Sequence, residues 1–75
     1  MSDREEYAAG LEGLDETALL KEANQFIWLS AYAANNPRSA YHWKCDAVAA
    51  ECRRRERMDI YERAYRQVGR ELGYA

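Results

Sequence analysis

Seventy-five residues leave room for one small domain, since so short a chain buries only about 60% of its extended surface on folding, and large enzymes and multidomain architectures are excluded. With 48% hydrophobic and 32% charged residues, four glycines and one proline, a packed fold is expected rather than a disordered chain. The net charge of −2 conceals a split, −5 over residues 1–35 and +3 over residues 36–75, which points to charged partners or to head-to-tail association.

Strand-period alternation is absent and β-branched residues are scarce, so the expected class is all-α: a small bundle of three main helices with a short acidic N-terminal helical segment, forming a single domain over residues 1–75. Residues 1–13 are the acidic segment, with a helical turn over residues 3–9 that stops at Gly10. The first main helix, residues 16–34, opens on Asp15 as N-cap, with Leu14 and Leu19 at the spacing of a hydrophobic staple. Leu19, Leu20, Ala23, Phe26, Ile27, Ser30 and Ala34 share its core stripe, while Trp28 and Tyr32 project from the opposite side. Asn35, Asn36 and Pro37 end it.

The second main helix, residues 38–57, is capped by Asn36 or Ser39, with Pro37 suited to its first turn. Its core stripe is Tyr41, Cys45, Val48, Ala49 and Cys52, and Trp43, Ala47 and Ala50 form a second stripe whose alanines let another helix approach. It ends in Arg53, Arg54, Arg55, Glu56 and Arg57. The third, residues 60–72, starts at a Met58–Asp59 joint with Asp59 and Glu62 in a capping-box-like arrangement, and carries Ile60, Tyr61, Ala64, Tyr65, Val68 and Leu72 on one face. No glycine marks that joint, so one longer bent helix is the alternative.

Chemistry-bearing residues are few. Cys45 and Cys52 lie seven apart on one helix, roughly 10 Å by helical rise, too far for a disulfide, and read as reduced core thiols. A structural zinc site wants four ligands from two elements; His42, Cys45 and Cys52 supply three from one helix, so no metal or cofactor is expected. His42 is instead placed beside Asp46. A nucleophilic cysteine with a histidine base also needs an oxyanion site and a cleft, for which so small a bundle has little interior, and the chain is read as non-enzymatic. No apolar run follows Met1 and none is long enough to span a bilayer, so a soluble cytoplasmic protein is expected.

What remains is surface. Arg53, Arg54, Arg55 and Arg57, with Arg38, Lys44, Arg63, Arg66 and Arg70, form a patch suited to phosphate, diluted by Glu51, Glu56 and Glu62 and set against a pI of 5.4. Trp28, Tyr32, Trp43 and Tyr74 are the aromatic candidates for protein contact; alternatively the segment around Tyr7 and Leu11 folds over Trp28 and Trp43 to complete the core. Glu5, Glu6 and Glu12 are the acidic candidates. Homodimerisation through the tryptophan faces is compatible with any of these.

The stretch from Asn36 to Ala47 (Asn-Pro-Arg-Ser-Ala-Tyr-His-Trp-Lys-Cys-Asp-Ala), followed by Glu51-Cys52-Arg53-Arg54-Arg55 and Ile60-Tyr61-Glu62-Arg63-Ala64-Tyr65, resembles short helical proteins of phages and mobile elements. Within that pool the chain is similar in size and plainness to anti-CRISPR inhibitors. The resemblance implies a protein that binds a host CRISPR-Cas effector complex in the host cytoplasm and blocks its target DNA or a partner subunit. That group shares no motif, so it assigns no residue. A small nucleic-acid-binding regulator using the Arg53–Arg57 run is the alternative.

Overall fold

The computed structural model describes residues 2–73, which form four helices and no strand: α1 (Asp3–Glu12), α2 (Glu16–Tyr32), α3 (Ala40–Arg54) and α4 (Met58–Glu71). Three of them start on a side-chain oxygen that satisfies an otherwise orphan amide. Ser2 Oγ accepts from the Glu5 N–H at 3.2 Å, Asp15 Oδ1 from Ala18 at 2.8 Å, and Ser39 Oγ from Tyr41 at 3.2 Å.

The boundaries differ from the sequence expectation in ways that have local causes. α1 passes through Gly10 and ends at Gly13, because Leu11 is drawn into the core and the surrounding packing outweighs the glycine's poor propensity. α2 stops at Tyr32, so Ala34 lies beyond the helix and is exposed rather than part of the core stripe. Pro37 stands in the connecting turn and not in α3, whose cap is Ser39; Asn36 instead accepts from the Arg38 N–H at 3.2 Å through its side chain. The joint between α3 and α4 falls before Met58, at Glu56, whose φ of 59° is the left-handed turn that separates two helices where one bent helix was the alternative. Asp59 does not cap α4: Arg57 occupies the N-cap position with no side-chain bond to the helix backbone, and its guanidinium donates instead to the Asp59 carboxylate at 2.9 and 3.0 Å.

α2 packs against both α3 and α4, and α1 lies on α3. The molecule measures 36 × 27 × 16 Å, so its thin dimension admits no more than two layers of helix. Leu11, Leu19, Val48 and Cys52 are sealed from solvent, with Ala23, Phe26, Ile27, Cys45, Ile60, Ala64 and Val68 around them. Each large apolar side chain buried in this way stabilises the fold by about 1.5–3 kcal/mol. Tyr65, assigned to the apolar face of α4, is 63% exposed, since it sits about 100° around the helix from the centre of that face at Ala64.

α3 also finishes its neighbours. Neither α1 nor α2 has a basic residue in its own last turn, which leaves carbonyls and the negative end of the helix dipole uncompensated. Arg55 Nη2 donates to the carbonyls of Leu11 at 2.8 Å and Leu14 at 2.7 Å, closing the end of α1. At the other end of α3, His42 Nε2 lies 3.1 Å from the Ala33 carbonyl and 2.8 Å from that of Asn36. Carbonyl oxygens only accept, so Nε2 carries the proton and His42 caps the exit from α2.

Candidate functional site

Trp28 and Tyr32 stand four residues apart near the end of α2, where helical spacing places side chains one above the other. Their rings stack with centroids 5.6 Å apart and planes within 7° of parallel. Trp28 is 38% and Tyr32 77% exposed, so the pair forms an apolar ledge open to solvent. Such stacking fixes both rings before any partner arrives, which lowers the ordering cost of a contact.

Trp43 has a different setting. Tyr7 of α1 meets its ring edge-on at 5.7 Å, and Arg4 and Lys44 lie over its face at 5.5 and 5.7 Å. Tyr7 also meets Phe26 edge-on and donates its hydroxyl to Glu22 Oε2 at 2.9 Å; burial and then that bond push the phenol well above its ordinary pKa. α1 therefore covers Trp43 and leaves Trp28 open. Among the described residues no ring contact joins Trp43 to the Trp28–Tyr32 pair.

The arginine run divides. Arg53 is exposed without an ion pair among the described residues. Arg54 grips Glu51 in a two-pronged bond of 2.8 and 2.7 Å, and Arg55 donates to the same carboxylate. Glu51 is only 6% exposed, and the hydrogen bonds from Arg54, then Arg55, pull its pKa down to about 2 despite burial. Arg57 bridges Asp59 and, across the molecule, Glu16. Of the acidic candidates, Glu5 and Glu6 are exposed on α1, and Glu12 stands 3.9 Å from Arg54. On α4, Arg66 and Arg70 are exposed, with Arg63 3.9 Å from Asp59. Tyr74 lies outside the described residues.

His42 and the cysteines are occupied with structure. His42 bonds Ser30 Oγ through Nδ1 at 2.7 Å in addition to its two carbonyls, and so is not directed at Asp46 as its spacing predicts. Cys45 Sγ lies 3.1 Å from the Tyr61 hydroxyl, and burial pushes the Cys45, Cys52 and Tyr61 pKa values up. Thiols held protonated in this way are poor nucleophiles and poor metal ligands. Among the described residues no three His, Cys, Asp or Glu side chains converge on a point where an ion could sit.

One feature was not legible in the sequence. A groove of about 410 Å³, open to solvent on one side, runs between α2, α3 and α4, with Ile27, Ala31, Asp46, Tyr61, Tyr65 and Gly69 among its walls. The expectation that the bundle leaves little room for a cleft is corrected at this surface. The small residues Ser30, Ala31 and Gly69 are the signal in the sequence, but they belong to different helices and acquire meaning only when those helices pack. No protein-family model, no curated protein and no solved structure matches this chain.

Proposed function

We propose that this chain is a non-enzymatic binding protein that acts by occupying a surface of another macromolecule, and that it is a phage-type inhibitor of a host CRISPR-Cas effector complex. It blocks the approach of target DNA or of a partner subunit. The observation that supports this reading is the stacked Trp28–Tyr32 ledge: two preset, solvent-facing aromatic rings on a rigid helix, of the residue types that dominate protein hot spots. The chemistry-bearing side chains agree with it, since His42, Cys45 and Cys52 are engaged in capping and packing. The resemblance of residues 36–66 to small phage proteins supplies the class of target.

The test is target-DNA cleavage by purified effector complexes of several subtypes, titrated with this protein. Loss of cleavage at one-to-one stoichiometry is expected from at least one subtype, with Trp28→Ala and Tyr32→Ala each raising the required concentration by about 10-fold or more. Full cleavage by every complex at saturating protein would overturn the inhibitor reading.

A second reading, nucleic-acid binding, draws on the exposed arginines of α4 rather than on the Arg53–Arg57 run, most of which is bonded within the molecule. Duplex DNA affinity that falls steeply with salt would favour it over the inhibitor reading.

A further inference from the structure

The groove between α2, α3 and α4 carries two properties that its own fold does not require. The first is Gly69. It lies inside α4, is not among the residues at positive φ, and a Cβ placed on it would meet nothing within 4 Å. Neither backbone geometry nor packing within the chain calls for glycine there, and glycine weakens a helix interior relative to alanine. What its missing side chain does is leave space over one wall of the groove.

The second is Asp46. It is the one charged residue among those that line the groove, and it has no ion pair among the described residues. Tyr61 and Tyr65, the latter 63% exposed, share the lining of the groove with it. Asp46 is exposed at the edge of this largely apolar groove, where its carboxylate repels an anion, offers nothing to a purely apolar occupant and can take a hydrogen bond from a cation. It suits a cation on an alkyl stem, which buries its methylenes while the charged head keeps its partner. The volume lies at the lower end of ordinary ligand sites, about 300–1,000 Å³.

We propose that this groove receives a lysine or arginine side chain of a protein partner, with the stem over Gly69 between Ile27 and Tyr65 and the charged head at Asp46. The proposal rests on the reading of the chain as a protein-binding module and adds the chemistry of what is bound. Ala31 of the groove and Tyr32 of the ledge are adjacent on α2, so one partner can engage both surfaces.

The test uses the full chain and three probes of equal length: n-hexylammonium, n-hexanol and n-hexanoate, each titrated while the backbone amide resonances are followed. Hexylammonium is expected to shift the amides of Ala31, Asp46 and Gly69 and to bind about 5-fold or more tightly than hexanol, with hexanoate weakest. Asp46→Asn should erase the advantage of the ammonium over the alcohol. Gly69→Leu, placed where the structure has open space, should weaken both by about 10-fold while the helical circular dichroism is unchanged. Equal binding of ammonium and alcohol, a preference for hexanoate, or shifts confined to other residues would overturn the proposal. So would self-association of the protein that Asp46→Asn abolishes, since the donor would then be a second copy. None of these outcomes touches the Trp28 and Tyr32 variants, whose failure to weaken inhibition is the separate sign that the binding reading is wrong.

Discussion

Trp43 lies beneath α1 with a tyrosine against its edge and two cations over its face, whereas Trp28 lies on the outside of α2 with Tyr32 stacked upon it. The two residues are the same in kind, and each follows an aromatic residue two positions earlier, Phe26 and Tyr41. Their fates differ because α1 reaches one and not the other. An edge-on ring with cations over its face has its π-surface already engaged, while a stacked pair still offers an outer face to a neighbour. The difference teaches that the short N-terminal helix decides which aromatic surface the molecule presents.

The contrast can be broken from the α1 side. Leu11→Ala removes the residue that anchors α1 in the core and should destabilise the protein by about 3 kcal/mol. In hydrogen exchange, the amides of α1 should lose more protection than those of α2. Arg55→Met should follow at about 2 kcal/mol, measured by urea unfolding, since it leaves the Leu14 carbonyl without its donor, the Leu11 carbonyl with only the Leu14 N–H, and Glu51 with a single arginine.

Acid sharpens the same contrast. Glu51 is ionised in the folded protein down to about 2, against an ordinary value of 4.5. A depressed folded-state pKa contributes stability that is complete above the ordinary value and is lost as the pH falls from 4.5 towards 2. Glu51→Gln should flatten that part of the stability profile. The smallest effect is expected on the open side: Tyr32→Ala, at a residue 77% exposed, should change stability by no more than about 1 kcal/mol in the same urea assay, although the proposed binding depends on it.

The parts of this arrangement that were legible in the sequence are those set by local spacing. The Asp15 cap and the Leu19, Ala23, Phe26 and Ile27 stripe follow from helical periodicity alone, and the structure has both. The outward direction of Trp28 and Tyr32 follows from the same periodicity. Gly10 was misleading because its low propensity is a local quantity, while the burial of Leu11 that carries the helix past it is tertiary. The joint at Glu56 was hidden because glutamate seldom adopts a left-handed backbone. The arginine run read as one patch, yet Glu51 stands three and four residues before Arg54 and Arg55, a spacing that already marks them as a pair of clasps on one carboxylate. The cover over Trp43 is the alternative in which the segment around Tyr7 and Leu11 folds inward, realised for Trp43 and not for Trp28, whereas the reach of Arg55 to the end of α1 and the groove belong to packing, and no local pattern announces them.

His42 and Arg55 hold the last carbonyls of two different helices from opposite ends of α3, and this locks the phase of that helix. Adding or deleting one residue between them would turn one side chain by about 100° relative to the other and strand one of the two ends. α3 therefore behaves as a ruler whose thirteen-residue interval from His42 to Arg55 admits no slippage.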